Sequence, residues 1–439
     1  MRFTKISGNL IYLKKDSKVE GILTKYMLQK FFSLIKTDTG KDTSIVFLGT
    51  AVNLTAGAIF FIITPRILGP EDYGLFATII TTGTFAATLA NFGLDTGILK
   101  FAYRENAQYV LALIFKLYIA LGIIAAVIGI LMSGPIAYFL NIRQGEGLLQ
   151  IAFASTILLL LTNYFVAALQ AKKEFTKASI VSFSSNIARI FIIILALFVV
   201  HINLLFVVCL YFLINIVSIA LGFVFSAPNL NAEKTIEPKK IALFSMWIAP
   251  TIILASIPLD NFFLIKLAGA KEAGIYAAPF KLLTVAYGLG TALSRVFSTR
   301  FANFSNNLQV IEYAKKAVVF PAFLVVGFIV LILIAPIVIN LFFGSNYLES
   351  INVLRIQAIG FIFFLAAIVP ASIILYYFGK PKVTFFISVL ATLIYTVFLY
   401  LFVPPLKSVG ASMAFALNEL ITFGLLTVVS IYYIKTNKK

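Results

Sequence analysis

The sequence predicts an all-α polytopic membrane protein, with about 12 transmembrane helices in two six-helix lobes related by a parallel internal repeat. Three observations carry this. Of 439 residues, 61% are hydrophobic and only 12% charged, with a mean hydropathy of +1.01, where a soluble domain carries about a quarter charged residues. Apolar runs of 18 or more residues recur along the chain, and about 20 such residues cross a ~30 Å hydrocarbon core. A loop-like segment returns 200 residues further on. Backbone polar groups must be satisfied inside lipid, so the apolar runs are helices. They lack the two-residue alternation of a barrel strand.

Charge, Pro and Gly bound the spans at 45–65, 74–99, 108–132, 148–170, 178–200, 203–225, 241–265, 276–296, 315–342, 351–378, 382–403 and 409–434. The weakest division lies within 178–225, where only His201-Ile202-Asn203 marks a turn. The expected organisation is a basic N-terminal segment (1–44), an N-lobe (45–225), a linker rich in Pro, Asn, Glu and Lys (226–240), a C-lobe (241–435) and a basic tail (436–439). Residues 1–44 hold no apolar core of signal-peptide length. Within them, Tyr26 to Lys36 sets Met27, Phe31, Leu34 and Ile35 on one helical face. This reads either as an interfacial helix on an anionic leaflet or as a disordered basic tail.

The net charge of +18 is explained by its distribution. On the side shared by the termini, 26 Lys and Arg residues accumulate. Only six (Arg66, Arg143, Lys266, Lys271, Arg355 and Lys407) lie opposite, and Lys116, Arg189 and Lys281 fall inside spans. The positive-inside rule then sets both termini in the cytoplasm of a multi-pass protein of the cell (cytoplasmic) membrane. The charge is topogenic, and no nucleic-acid partner is expected. One cysteine (Cys209) and one histidine (His201) leave no disulfide framework and no zinc cluster. Neither a cofactor nor a metal is expected.

The repeat aligns Arg66-Ile-Leu-Gly-Pro-Glu-Asp-Tyr-Gly-Leu-Phe-Ala77 with Lys266-Leu-Ala-Gly-Ala-Lys-Glu-Ala-Gly-Ile-Tyr-Ala277 without a gap. Both glycines and the final alanine are identical, and Pro135 and Pro336 recur in the matching third spans. Each half has an even number of spans, so both insert the same way up, an arrangement that sets a substrate pathway between two lobes. In the loop itself, Gly69 and Gly74 permit a tight turn and Pro70 ends the incoming helix. Glu71 and Asp72 open the next helix, where its dipole favours them.

The stretch Ile63-Thr-Pro-Arg-Ile-Leu-Gly-Pro-Glu-Asp-Tyr-Gly-Leu-Phe76, followed by Ala90-Asn-Phe-Gly-Leu94, resembles the polysaccharide biosynthesis/O-antigen flippase family. That family belongs to the multidrug, oligosaccharidyl-lipid and polysaccharide exporter superfamily. Asp260-Asn-Phe-Phe-Leu264 through Gly274-Ile-Tyr276 resembles its second half. The likeness spans about residues 45–435, with Asn91 where the family often has an acid and Asn261 where a base often follows the Asp. The resemblance implies a transporter, not an enzyme, that flips a polyprenyl-phosphate-linked oligosaccharide by alternating access. Membrane lipids and glycan-assembly enzymes are its implied partners. Two alternatives stay open: a multidrug/cation antiporter of the same superfamily, and a membrane enzyme of glycan assembly (polymerase or ligase).

Ionisable residues inside spans are costly, which makes them site candidates. Arg189 lies roughly 16 Å deep at 1.5 Å per residue. It either meets a pyrophosphate or sugar-acid group, which its planar fork matches, or pairs with Asn186 or Ser185. Asp260 and Lys281 share a depth of roughly 8–9 Å on neighbouring helices; they form a gating ion pair or snorkel separately. Lys116, about 12 Å deep, lines the path or snorkels to the cytoplasm. Arg295 is a candidate phosphate ligand at the cytoplasmic end of its span. Asp260 and Glu419 are the candidate carriers of a coupling proton or sodium ion. Asn53, a further substrate-binding or gating candidate, reads equally as an interhelical hydrogen-bonder, as do Asn163 and Asn215.

Overall fold

The computed structural model describes residues 38–102, 107–199, 201–301 and 304–436, although Arg295 is among further residues whose side chains are not described. Residues 1–37, which hold the expected interfacial segment, lie outside the described residues. Among the described residues every regular element is a helix. The first half contains α1 (Asp38–Asn91), α2 (Leu94–Phe101), α3 (Ala107–Phe139), α4 (Glu146–Ala154), α5 (Thr156–Ala171), α6 (Phe175–Val199), α7 (Leu204–Leu213) and α8 (Asn215–Ser226). The second contains α9 (Pro238–Ser256), α10 (Leu259–Leu267), α11 (Ala270–Phe301), α12 (Asn307–Ala317), α13 (Val319–Leu333), α14 (Ala335–Phe343), α15 (Ser350–Ser372) and α16 (Pro381–Thr436).

By length and composition, eight helical stretches among the described residues can cross a membrane, or nine if the bent pair Leu324–Leu333 and Ala335–Phe343 is one span. Two of the eight are hairpins. In α1 the backbone leaves helical geometry at Gly69 (φ 74°, ψ 172°), a left-handed conformation that glycine adopts without a Cβ penalty. Along an unbroken helix Phe60 and Phe76 would stand about 24 Å apart, yet their ring centroids are 6.2 Å apart. The chain therefore turns back on itself at Gly69-Pro70. In α16 the break falls at Lys407 (φ 52°, ψ −126°) after Pro404 and Pro405, and Phe402 packs against Gly410.

Large apolar side chains cover the outside. Phe198 is 82% exposed and Leu131 68%, a distribution that suits lipid and would leave an extensive apolar patch in water. Inward faces use small residues to bring helices close: Gly129 meets the Phe153 ring and Gly222 the Phe165 ring, with no room for a Cβ.

Loop contacts sort into two ends of the bundle. At one end Gly74 and Gly274 abut, each with the space for a Cβ filled by the other segment's backbone, Ala270 and Pro70 respectively. Arg66 Nη1 donates to the Leu341 carbonyl (3.2 Å) and Asn141 Nδ2 to the Lys266 carbonyl (3.2 Å). Glu272 bonds Ser408 there as well. At the other end, Lys172 Nζ donates to Ser226 Oγ (2.8 Å), Lys100 Nζ lies 3.7 Å from the Phe244 ring centroid, and Asn307 Nδ2 donates to the Ile434 carbonyl (2.9 Å). Gly49 also lies there, against Ser179. Both ends of the described chain thus lie at the end that carries the 226–240 linker.

Two expected spans differ in detail, and one weak division is sharpened. The span expected at 241–265 is split at Ile257-Pro258 into α9 and α10, since proline supplies no N–H to continue the helix. The span expected at 315–342 bends by 77° between α13 and α14, next to Pro336. The weak division at 201–203 is a full break: α6 ends at Val199 and Asn203 caps α7, accepting the Phe206 N–H (2.9 Å).

Candidate functional site

In the first half the interior centres on Arg189 of α6, which is 5% exposed. Its Nη1 donates to Asn186 Oδ1 (2.5 Å) and its Nη2 to the Tyr211 carbonyl (3.0 Å). Asn186 Nδ2 in turn donates to Asn53 Oδ1 on α1 (2.6 Å). The guanidinium carbon stands 4.3 Å from the Tyr211 ring centroid and 5.1 Å from that of Phe60, within the range of a cation–π contact. The structure thus brings Arg189 and Asn53 together through Asn186, one turn away on the same face of α6. Among the described residues Ser185 is not its partner. One donor is left over: Arg189 Nε is buried without a hydrogen-bond partner among the described residues. Such a group costs about 1–3 kcal/mol, and more when charged, so an incoming oxyanion would relieve it.

The second half is acidic by contrast. The break at Pro258 makes Asp260 a first-turn residue of α10, where the helix dipole favours a carboxylate. Its Oδ2 accepts from Tyr276 Oη (2.7 Å) and its Oδ1 from the Asn261 N–H (2.8 Å). Lys281, five residues beyond Tyr276 on α11, lies within electrostatic reach of Asp260. No direct ion pair joins them among the described residues; the carboxylate has Tyr276 as its partner instead. Tyr395 on α16 lies within electrostatic reach of both Asp260 and Glu419. Glu419 is only partly exposed, on the returning limb of the same hairpin.

The halves meet at an aromatic pair. Phe60 and Phe61, neighbours on α1, are 5.4 Å apart edge to face, and Tyr211 stands 6.3 and 6.2 Å from them. Arg189 lies over Phe60, while Lys281 Nζ, from the second half, lies 5.3 Å from the Phe61 centroid. Two cations remote in sequence therefore converge on one dipeptide.

Other candidates have separate places. Lys116 donates to the Leu230 carbonyl of the linker (2.9 Å) and is exposed, so it reaches to the surface. The side chain of Arg295 lies outside the described residues. Asn215 donates to the Phe212 carbonyl (2.9 Å), and Asn163 is exposed. Asn91 accepts from Tyr118 and carries no charge into the core. Sequence reasoning missed Phe60, Phe61, Tyr211 and Tyr395, and read Tyr276 only as part of a loop motif. The available signal was faint: Tyr276 falls 200 residues after Phe76, and aromatic residues at the depth of an intramembrane charge are natural partners for it.

A family model described as "Polysaccharide biosynthesis protein" matches residues 39–297, more than half of the chain. The chain belongs to this family. Among curated relatives it is 24% identical over 187 residues to a putative O-antigen transporter of Shigella flexneri, covering 42% of this chain and 44% of that one. It is 24% identical over 344 residues to an uncharacterized membrane protein in the cps region of Klebsiella pneumoniae, covering 74% and 68%. The match thus spans less than half the length of the Shigella protein. The fold of this family member is similar to an inward-facing multidrug resistance MATE transporter of the MOP superfamily (TM-score 0.74, 14% identity, 88% of this chain and 94% of that chain). It is also similar to the lipid II flippase MurJ in an inward closed conformation (TM-score 0.69, 14% identity, 90% and 87%).

Proposed function

We propose that this protein flips a polyprenyl-phosphate-linked oligosaccharide across the cytoplasmic membrane, for cell-surface polysaccharide or glycan assembly. In this reading twelve passes form two like-oriented lobes, the linker end faces the cytoplasm, and rocking of the lobes exposes an interior path to either side in turn. The carrying observation is the convergence of Arg189 and Lys281, one from each half, on Phe60 and Phe61. Two cations on an aromatic wall suit a phosphate or acidic head group beside a sugar ring, and motion between the halves would change their spacing. Asp260 and Glu419 then serve as carriers for a coupling proton or sodium ion. Family membership and the O-antigen transporter likeness support the cargo class. A cation antiporter needs a pathway that prefers positive cargo, and the two cations weigh against it. No covalent chemistry is required, so the protein works as a transporter with glycan-assembly enzymes as partners on either side.

The test is a flipping assay in proteoliposomes with fluorescent polyprenyl-diphosphate-linked sugars. Accessibility of the label to a membrane-impermeant quencher should change with time only when the protein is present. Unchanged accessibility across neutral and acidic glycans, with folded protein, would refute the reading.

A further inference from the structure

Arg66 and Lys266 occupy matching places in the two loop segments, 200 residues apart, yet their surroundings differ. The Lys266 ammonium lies 3.3 Å from the Phe139 ring centroid, which leaves an aromatic face as its neighbour. Arg66, from the first half, instead borders a cleft of about 570 Å³ lined otherwise by second-half residues, among them Asn340, Leu341, Gly344, Ser345 and Asn346. The lining holds one cation and no acid. A cleft of similar size nearby, about 580 Å³, has the opposite character, with Asp72 and no cation in its lining.

Arg66 spends one N–H on the Leu341 carbonyl; no other acceptor for its guanidinium is found among the described residues. The end of α14 would ordinarily set bare carbonyls against an anion. Here that end is covered in part: Gly344, free to adopt φ 84°, turns its N–H onto the Ile339 and Asn340 carbonyls, and Arg66 takes that of Leu341, while those of Phe342 and Phe343 have no donor among the described residues. Beside these carbonyls the cleft lining carries a guanidinium fork, two exposed amides and an exposed hydroxyl. Such a fork matches the geometry of a carboxylate or phosphate, and Asn and Ser side chains both donate and accept, as hydroxyl groups need.

We propose that this cleft binds an oxyanion flanked by hydroxyls, with Arg66 holding the oxyanion and Asn340, Ser345 and Asn346 the hydroxyls. That chemistry is shared by an acidic sugar and by an anionic glycerophospholipid head group. The site lies at the hairpin end, apart from Arg189, and stands whether or not the transport reading does.

The full-length protein in phosphatidylcholine nanodiscs can be titrated with glucuronate and with dioctanoyl-phosphatidylglycerol. Glucose and dioctanoyl-phosphatidylcholine are the neutral counterparts, and saturation-transfer NMR on the probes is the readout. At least one anionic probe should bind, with its counterpart weaker by roughly tenfold, the scale of one charge-assisted contact. Binding of glucuronate alone identifies the sugar source and of phosphatidylglycerol alone the lipid source; either sustains the site. Arg66→Gln should weaken binding by roughly tenfold, while Lys266→Gln should change it less than about twofold. Asn346→Asp adds a carboxylate to the cleft without touching the Arg66–Leu341 bond and should abolish binding. It carries the decision if Arg66→Gln does not fold. Equal effects of Arg66→Gln and Lys266→Gln, no preference for the anionic probes, or an unaffected Asn346→Asp would each overturn the proposal.

Discussion

The two halves are built on similar loops but hold opposite chemistry at their centres. Around Arg189 the first half gathers neutral acceptors and rings (Asn186, Asn53, the Tyr211 carbonyl, Phe60), so among the described residues its cation has no counter-ion and one unpartnered donor. Around Asp260 the second half gathers a phenol donor, a backbone N–H and the charge of Lys281, with Glu419 behind Tyr395. In the proposed function this cation would meet an external anion. In that same proposal the hydrogen-bonded carboxylate of Asp260, with Glu419 as a second acid, would exchange a small cation. Recognition would then centre on Arg189, with Lys281 reaching the same aromatic wall from the second half, and coupling on Asp260 and Glu419; packing would constrain the loops while interior polar positions differ between the halves.

The sharpest way to break this comparison is to neutralise each side. Arg189→Gln should lower flipping of acidic or phosphate-linked cargo by at least about tenfold, the worth of a hydrogen-bonded charge. Arg189→Lys should rescue little of it, since an ammonium lacks the fork. Asp260→Asn should leave cargo binding nearly intact while abolishing the acceleration produced by an imposed proton or sodium gradient. If Asp260→Asn instead weakens cargo binding as much as Arg189→Gln does, the halves do not divide the work.

Next in size are the glycines where the halves touch. Alanine at Gly74 or Gly274 drives a Cβ into the backbone at Ala270 or Pro70, and overpacking of this kind costs about 1–3 kcal/mol. Each variant should unfold at lower temperature in a detergent melt, by similar amounts if the contact is reciprocal. A smaller test compares Glu272 with Asp72. Glu272 is 9% exposed, bonds Ser408 Oγ (2.7 Å) and pairs with Lys407 (3.5 Å), so Glu272→Ala should cost about 1–3 kcal/mol by stranding Ser408. Asp72 is exposed, and Asp72→Ala should stay within about 0.5 kcal/mol. The smallest effect is expected for Lys116→Ala, whose side chain only reaches the linker carbonyl of Leu230. Flipping and melting temperature should both stay near the parent values.

Much of the architecture was legible because each signal is local. Apolar run length reports a helix in lipid, and Gly69 and Gly269, 200 residues apart, both adopt positive φ (74° and 91°). That left-handed backbone is one glycine adopts freely, so the residue type itself announces the turn. Less legible were the split at Pro258 and the bend at Pro336. A proline in an apolar run either kinks a helix or is absorbed by it, and neighbouring helices decide which. The single charges were also visible: Arg189, Asp260, Lys281 and Glu419 stand out in apolar runs because burying an ion is costly.

By itself the sequence determined that the chain crosses a membrane repeatedly as helices, where it turns, and which few ions enter the interior. Those outcomes follow from hydration free energy and local backbone sterics, which depend on a residue and its near neighbours. Only the tertiary structure decided that Asp260 would take Tyr276 ahead of Lys281, and that Arg189 and Lys281 would meet on Phe60 and Phe61. It decided too that Arg66 would border an open cleft while Lys266 lay against a ring. Partners more than a helical turn apart are chosen by how helices rotate and pack, and the linear order of residues does not carry that rotation.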